Sequence, residues 1–290
     1  MDIDNLQTFL TLARLGHMTR AAQELHLTQP AVSAQLSKLE DELGHKLFDR
    51  TPKGMRLTEA GRLWRTYVEQ ALVMLQSGQQ SIDALSGLQQ GSLSIGGGAT
   101  ATTYLLPSHL GAFHARHPGI QLFVREQGSQ IVMESVLSGE LELGIVTLPT
   151  PTTHKHLHIE GWIEDELLLI VPSRHPLSAR SRFEWEELDG QDLVLFEAGR
   201  AVRELIDSHL QRANVQTQTV MELRSIESIK QMVREGIGAA FVSRFALGTT
   251  EHGLAPKSDP ILRELGIVWR TDLTLSSAAR EFLDMLRVKL

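Results

Sequence analysis

Amide and hydroxyl side chains recur along one face of the segment that begins at Thr28. The face consists of Gln29, Ser33, Ala34 and Ser37. A helix brings residues three and four apart onto one side, so these side chains would point the same way. Short groups of this kind donate, accept or make apolar contact with base edges in the major groove of DNA. The face therefore predicts a helix that reads duplex DNA.

Two further helices would hold this face in place. The stripe of the first helix consists of Leu6, Phe9, Leu10 and Ala13. A second helix is predicted over about Thr19 to Leu25, and Leu27 is expected to fill the gap in the turn that follows. Thr28 is expected to cap the third helix, with Pro30 in its first turn. The pattern predicts a helix-turn-helix, although an ordinary three-helix packing with a polar outer face has the same pattern.

A basic hairpin is predicted beside the third helix. Residues 47–50 and 55–57 have the pattern of two short strands, and residues 52–54 form a turn between them. Such a wing lies where the phosphates of a bound duplex run. Residues 28–65 carry a net charge of +2, whereas the other residues carry −9. The charge contrast favours DNA binding, and the candidate DNA-binding residues are Gln29, Pro30, Ser33, Ala34, Ser37, Lys38, Arg50, Lys53 and Arg56.

The order of these residues resembles the N-terminal signature of LysR-type transcriptional regulators. The matching residues are Ala21-Ala22, Leu27-Thr28-Gln29-Pro30-Ala31-Val32-Ser33, Leu39-Glu40, Leu43-Gly44, Leu47-Phe48-Asp49-Arg50 and Leu57-Thr58-Glu59-Ala60-Gly61. The resemblance is detailed over about the first 60 residues and covers the rest in layout. It implies an α/β protein with an N-terminal all-α winged helix-turn-helix. A long linker helix would join it to a two-lobed effector domain like the periplasmic binding proteins, in a homodimer or tetramer.

Composition sets independent bounds. The 290 residues with 42% hydrophobic content predict two or three folding units. The chain has no run of 18 apolar residues and no N-terminal signal pattern, so we expect a cytoplasmic protein with no membrane partner. It contains no cysteine. This excludes disulfides, a thiolate nucleophile and a thiol switch.

A proline-free stretch between Thr58 and about Leu88 predicts one long helix. Its seam consists of Ala60, Trp64, Tyr67, Ala71, Met74 and Gly78, continued by Ile82 and Leu85. A helix of about 28 residues spans about 42 Å, which is longer than a small domain covers. We interpret it as a linker and dimerisation helix, although the seam could also lie on its own chain. The expected domains are 1–58, 59–90 and 91–290, with lobe I at about 91–161 and 267–290 and lobe II at about 162–266.

From Leu93 onward, strand and helix patterns alternate in two series of similar size. Such alternation predicts parallel sheets with covering helices, and two series predict two lobes that face a cleft, as the resemblance also implies. Ligands of open α/β sheets bind outside the carboxyl ends of the strands. The cleft is therefore expected beside residues 98–103, 127–130, 147–149 and 197–200.

Hydroxyl and basic side chains at these strand ends form the candidate effector site. Its residues are Thr100, Thr102, Thr103, Ser129, Thr147, Arg200 and Ser225. Hydroxyls and free N–H groups before a helix favour an anion, and Arg200 with Arg203 could clamp an oxyanion at two points. Helix capping for the hydroxyls and a solvated surface position for arginine are the alternatives. The expected ligand is a small-molecule or inorganic anion.

Two other functions fit single motifs. Gly96, Gly98 and Ala101 match G-x-G-x-x-A, and Glu126 ends the next strand, as in NAD-dependent enzymes. An NAD-dependent enzyme would leave the first 90 residues without a role, and the rest of the sequence contains no recognisable acid-base pair. His154, His156 and His158 would project on one side of an extended segment, which would suit a metal-responsive regulator. We expect a DNA-binding transcriptional regulator that is not an enzyme and has no cofactor and no metal site, with the metal-responsive regulator as the alternative.

Overall fold

The computed structural model describes residues 2–52, 54–83, 91–150, 154–249 and 251–288. The chain forms two compact units, Met1–Gly78 and Gln79–Leu290. The elements that begin in the first unit are α1 Ile3–Leu15, α2 Met18–Glu24, α3 Gln29–Leu43, β1 Phe48–Thr51, β2 Gly54–Leu57 and α4 Glu59–Asp83. None of the helices in the described part of the chain is long and apolar enough to cross a membrane.

The core of the first unit joins the three short helices to the hairpin. Phe9 of α1 is fully buried, and its ring centroid lies 5.5 Å from that of Phe48 at the start of β1. Leu12 is buried although it lies outside the predicted stripe, whereas Leu10 is only partly buried. The predicted role of Leu27 is wrong. Leu27 is 37% exposed and does not belong to the core cluster of this unit, so it does not fill the gap between the helices.

The start of α3 follows the prediction from its sequence. The N–H of Ala31 donates to Oγ1 of Thr28 at 3.4 Å, and Pro30 lies in the first turn. The helix ends at Gly44, whose φ of 70° is the left-handed conformation that glycine adopts without strain. Val32, Leu36 and Leu39 are buried, so α3 is fixed at both ends and along one face.

The predicted seam along the long helix α4 consists of two parts with different surroundings. Ala60 and Trp64 pack against the core of the first unit, so this part of the seam lies on its own chain. The exposed apolar side chains further along α4 are Leu63, Tyr67, Met74, Leu75 and Ile82. The predicted seam residue Leu85 lies outside the described residues.

The second unit contains the remaining elements. They are β3 Gly91–Gly97, α5 Leu106–Arg116, β4 Ile120–Glu126, α6 Ser129–Ser138, β5 Leu143–Leu148, β6 Leu157–Ile170, β7 Arg182–Phe183, β8 Asp192–Phe196, α7 Ala201–Arg212, β9 Gln218–Leu223, α8 Ile226–Arg234, β10 Ala240–Ser243, β11 Ala255–Pro256, β12 Ile261–Arg270 and α9 Ser277–Arg287. A π-helical turn, Ala101–Leu105, precedes α5.

Two long strands organise this unit. The main sheet has the order β10-β6-β12-β5-β3-β4. Strands β4, β3 and β5 are parallel, as predicted, but β12 is antiparallel to β5 and β6, and β10 is antiparallel to β6. The predicted parallel pairing therefore holds for β3, β4 and β5, and it is wrong for β6, β10 and β12. The chain crosses between two cores on β6 and returns on β12, and neighbouring strands that run in opposite directions must pair antiparallel.

The two cores define two lobes. One core surrounds Leu93, Ile145 and Phe282, and we call this part lobe I. The other surrounds Leu193 and Phe241, and we call it lobe II. Two further parallel pairs, β8 with β9 and β7 with β11, belong to lobe II. The two-lobed α/β architecture that the sequence predicts is confirmed.

Close backbone approaches fix the hairpin in the first unit. The N–H of Met55 donates to the carbonyl of Gly16 at 2.7 Å. A Cβ added to Gly54 would lie 2.3 Å from that carbonyl oxygen, and a Cβ added to Gly61 would lie 2.1 Å from the carbonyl oxygen of Leu47. Glycine is therefore required at positions 54 and 61 by the space available.

Replacing Gly61 with alanine should destabilise the first unit by about 1–3 kcal/mol or more, because the clashing atom belongs to the backbone and cannot rotate away. Differential scanning calorimetry of the full chain measures the change. Gly111→Ala is the control, since a Cβ at Gly111 meets nothing within 4 Å and alanine favours a helix interior. Equal effects of the two substitutions would contradict the packing at Gly61.

Candidate functional site

The predicted reading face lies on the outer side of α3. Gln29, Pro30, Ala34, Ser37 and Lys38 are exposed and Ser33 is half-buried. The opposite side of the helix is the stripe that packs into the core. The helix therefore presents short polar and small side chains to solvent along a rigid backbone, which is the arrangement that base reading requires.

The wing carries two exposed arginines. Arg50 on β1 pairs across the hairpin with Met55, and Arg56 on β2 pairs with Asp49. Neither arginine, nor Lys38 on α3, has an ion-pair partner among the residues that the structure describes. Unpaired cations are available for phosphate oxygens. The predicted Lys53 lies outside the described residues.

A buried ion pair lies where β6 and β12 run side by side in the second unit. Nε of Arg263 donates to Oδ2 of Asp165 at 2.8 Å, and Ser243 Oγ donates to Oδ1 of the same carboxylate at 2.7 Å. The side chain of Asp165 is fully buried and that of Arg263 is 4% exposed. Buried charges of this kind persist only when they are paired and hydrogen-bonded.

This ion pair holds the first of the predicted effector residues. Nη2 of Arg263 donates to Oγ1 of Thr100 at 2.7 Å, and Thr100 is buried. A hydroxyl that accepts from a guanidinium keeps its own proton for another acceptor. Thr100 occupies the N-cap position of the π-helical turn, but its hydroxyl makes no capping hydrogen bond and is oriented by Arg263 of β12.

Sequence reasoning missed Arg263, Asp165 and Ser243. A signal was present, since Asp165 alternates with Ile163 and Leu167 on the inward face of one strand. A charged residue at an inward position of a strand requires a partner. The sequence alone offers many cations for Asp165, and only the register of β6 against β12 selects Arg263.

Three predicted hydroxyls have local structural partners. Oγ1 of Thr102 donates to the carbonyl of Gly98 at 3.2 Å, and the N–H of Ser228 donates to Ser225 Oγ at 3.3 Å at the start of α8. Ser129 Oγ accepts the N–H of Thr147 at 3.0 Å. The structure therefore brings Ser129 and Thr147 together and assigns Ser225 a capping contact. Thr103 is exposed on the π-helical turn.

The predicted pair of clamping arginines is wrong for Arg203. Its guanidinium donates to Asp207 of α7, to the carbonyl of Phe196 in β8 and to Glu222 of β9. Arg203 therefore joins α7 to these two strands and is not free to bind a ligand. Arg200, at the N-cap of α7, is half-buried, and its side chain has no hydrogen-bond or ion-pair partner among the described residues. One guanidinium therefore remains available at this end of lobe II.

A second contact joins the lobes. Ala99, just before the π-helical segment of lobe I, and Tyr104, within it, pack against the core of lobe II. The Tyr104 hydroxyl donates to Oε1 of Glu227 in α8 at 2.5 Å. Burial and the neighbouring Glu227 carboxylate raise the pKa of Tyr104, so this hydroxyl remains a donor at neutral pH. The segment with Thr100 thus faces lobe II.

The contact continues into lobe II through the buried ammonium of Lys230. Nζ of Lys230 lies 3.2 Å from Glu227 and 2.8 Å from Glu251, and it donates to the carbonyl of Ala246 at 2.6 Å. Burial of Glu251 opposes its ionisation, but the Gly248 N–H, Lys230 and Arg234 outweigh it and lower its pKa to about 2. Glu251 therefore stays charged and fixes Lys230 beside Glu227.

The three histidines have other partners. His158 packs against the ring of Trp269 with 4.4 Å between centroids, and Nδ1 of His156 lies 3.6 Å from Asp272. The rings of His154 and His156 are 5.5 Å apart. Within the described ranges, no group of three or more histidine, aspartate and glutamate side chains could hold a metal ion. No geometry in this region favours the metal-responsive alternative.

A winged helix-turn-helix in one unit and two α/β lobes joined by crossing strands in the other define a ligand-responsive transcription factor. Residues 3–62 match the family of bacterial regulatory helix-turn-helix proteins, lysR family, and residues 86–290 match the LysR substrate binding domain. The chain belongs to the LysR family. It is a transcriptional regulator with an effector-binding domain, as its sequence predicts.

Relatives and solved structures agree with this assignment. A probable RuBisCO transcriptional regulator of Cyanidioschyzon merolae is 35% identical over 249 residues, which cover 84% of this chain and 82% of that protein. A full-length cysteine-to-aspartate variant of OxyR from Pseudomonas aeruginosa has a TM-score of 0.74 at 25% identity, covering 99% and 95% of the two chains. The CcmR regulatory domain of Synechocystis, in complex with 2-PG, has a TM-score of 0.62 at 25% identity, covering 68% and 96%.

Replacing Asp165 with asparagine should destabilise the second unit by about 3–5 kcal/mol, because it leaves the Arg263 guanidinium buried without a counter-charge. Thermal unfolding of the full chain measures the loss. Asp207→Asn removes an exposed carboxylate from Arg203, which keeps Glu222 as a partner, and should cost at most about 1 kcal/mol. Similar small losses for both variants would show that Arg263 is not held by its ion pair.

Proposed function

We propose that the chain reads duplex DNA with α3 and the wing, and that a small anion bound between the two lobes controls this binding. The observation that carries the first part is the exposed polar face of α3 beside cations without partners on the wing. The observation that carries the second part is Thr100, whose hydroxyl is held between the lobes by Arg263.

The proposed DNA surface combines base reading with phosphate contacts. Gln29 and Ser33 on α3 supply groups that discriminate base pairs, and Ser37 lies one turn further along. Arg50 and Arg56 supply cations that bind the phosphates of any sequence. Pro30, Ala34 and Lys38 are further proposed DNA contacts on α3. Lys53, between the two wing strands in sequence, is a further proposed phosphate contact.

The proposed effector site centres on the segment that faces lobe II. Thr100 has a proton to donate, Thr102 and Thr103 lie on the same turn, and Arg200 offers a guanidinium without a partner among the described residues. Hydroxyl donors and one free cation favour an anionic ligand. Ser129, Thr147 and Ser225 are proposed to border the site, with hydroxyl protons that their structural contacts leave free. The 2-PG complex of the CcmR domain supports a small ligand in a domain of this fold.

Control of DNA binding is proposed to work by population shift. A ligand between the lobes changes which lobe arrangement is most populated, provided that it binds the arrangements with different affinities. The Tyr104–Glu227 hydrogen bond joins the lobes in the arrangement that the structure shows. A ligand between the lobes would therefore either break this hydrogen bond or add contacts beside it. Paired chains would convert the change into altered DNA binding.

Self-association is proposed through α4. The exposed side chains Leu63, Tyr67, Met74, Leu75 and Ile82 form too much apolar surface for a helix that faces only water. A second copy of α4 would cover them, which supports a homodimer, and a tetramer by pairing of dimers.

The domain boundaries 1–58, 59–90 and 91–290 are proposed with this role for the middle segment. Since the proposed partner is DNA, we place the protein in the cytoplasm, and we propose no enzymatic activity.

Replacing Gln29 with alanine should weaken binding to a duplex selected by the wild-type protein from a random pool by about 1–3 kcal/mol, with little effect on random duplex. Replacing Arg56 with alanine should weaken both duplexes alike and reduce the salt slope by about 1, because it removes a phosphate contact. Fluorescence anisotropy at several salt concentrations measures both effects.

The two variants are each other's control. Equal losses on selected and random duplex for both substitutions would contradict the division of roles between α3 and the wing. A wild-type protein that shows no preference for the selected duplex would contradict sequence-specific binding itself.

Replacing Thr100 with valine should reduce the rise in melting temperature that an anion produces, while DNA binding without the anion is retained. The probes are 2-PG and inorganic phosphate, and the readout is thermal unfolding of the full chain. Thr100→Ser is the control, because serine keeps the hydroxyl that Arg263 binds. A ligand shift that is equal in wild type and Thr100→Val would place the anion elsewhere, and no shift of the wild type with either probe would contradict a site for these anions.

A further inference from the structure

One buried carboxylate connects the reading helix to the wing. Glu40 lies near the end of α3, and its residue surface is only 6% exposed. Its Oε1 accepts the N–H of Leu47 at 2.8 Å and the N–H of Phe48 at 3.4 Å. Its Oε2 accepts Nζ of Lys46 at 2.7 Å. Three consecutive residues at the start of the wing are thus held by one side chain of α3.

The contacts of Glu40 account for its burial. An ionised carboxylate that leaves water needs donors to replace its hydration. The two backbone N–H groups and the ammonium supply them, and Leu47 and Phe48 are themselves buried. A buried N–H without an acceptor is costly as well, so the carboxylate and the start of β1 satisfy each other.

Two of these three residues, Lys46 and Leu47, are also held by the start of α4. The N–H of Thr58 donates to the carbonyl of Leu47 at 3.0 Å, and Oγ1 of Thr58 donates to the carbonyl of Lys46 at 2.7 Å. The close approach of Gly61 to Leu47 belongs to this contact. The base of the wing therefore sits between α3 and α4, and Glu40 is its connection to α3.

Glu40 is also close to the reading face along the helix. It follows Ser37 by three residues, which is less than one turn and about 4.5 Å along the axis. The backbone of one helix therefore carries both the side chains that face bases and the carboxylate that positions Arg50 and Arg56 on the wing. A shift at Glu40 changes the distance between the two parts of the surface.

We propose that Glu40 is a positioning residue for DNA recognition, which holds the wing arginines at the spacing where they bind phosphates while α3 reads bases. The inference rests on the proposed DNA binding. The proposed role depends on the length of the Glu40 side chain and on its acceptor oxygens. The negative charge of Glu40 is of secondary importance for this role. Glutamine has the same reach and an acceptor oxygen without charge, whereas aspartate keeps the charge and draws it back by one methylene.

The test compares Glu40→Gln, Glu40→Asp and Asp41→Ala in the full chain. Asp41 is an exposed carboxylate on the next residue of α3, so its replacement controls for loss of negative charge near DNA. The measurement is the affinity for the selected duplex and for random duplex at several salt concentrations, with the fold checked by circular dichroism. Glu40→Asp should weaken both duplexes by about tenfold and lower the salt slope by about 1–2, as expected for lost phosphate contacts. Glu40→Gln should keep the wild-type slope, as should Asp41→Ala.

The outcomes separate the inference from the proposed function. A lowered slope for Glu40→Gln with a normal slope for Glu40→Asp would show that the charge matters and would overturn the inference. Wild-type affinity and slope for both variants would overturn it too. If Arg56→Ala and Gln29→Ala leave DNA binding unchanged, the proposed DNA surface itself fails. Loss of fold in Glu40→Asp alone, with Glu40→Gln folded and binding normally, would show that the reach of the acceptor oxygens holds the wing.

Discussion

The buried ion pair between Arg263 and Asp165 is the interaction on which the second unit depends. It joins β12 to β6, the two strands that pass between the lobes, at the point where they run side by side. An ion pair in the interior stabilises little by comparison with apolar packing, but it tolerates very little change in geometry, because either charge alone would be buried at high cost. The pair therefore specifies one register of the crossing strands. The hydroxyl of Thr100 is bound to the same guanidinium, so the candidate effector site is tied to this register.

The first unit solves a related problem with a different interaction. Its reading helix and its wing are short elements, and neither has a large core of its own. Glu40 and Thr58 hold the base of the wing by hydrogen bonds, and the glycines at 54 and 61 let the backbone segments approach closely. In both units a buried polar group fixes the relative position of two surfaces, and apolar packing supplies most of the stability.

Much of the element pattern could be predicted from local sequence. Thr28 and Pro30 mark the start of α3, as their capping and first-turn preferences predict. Predictions from local sequence failed at residues whose side chains suit two different positions or two different partners. Leu27 is apolar but exposed, and Arg203 joins α7 to neighbouring strands. Each of these residues has a property that fits two roles, and contacts distant in sequence decide between them.

The sequence by itself determined the helix-turn-helix, the hairpin, the two-lobed α/β plan and the family, because these depend on apolar periodicity, capping residues and a dense local signature. The tertiary structure alone decided that β12 and β6 run antiparallel through both lobes, that Arg263 is the partner of Asp165, and that Glu40 holds the wing. Periodicity shows which face of a strand is buried, but it carries no information about which distant residue lies opposite. The register of strands separated by about a hundred residues is set by the packing of the whole unit, and the partners of buried charges follow from that register.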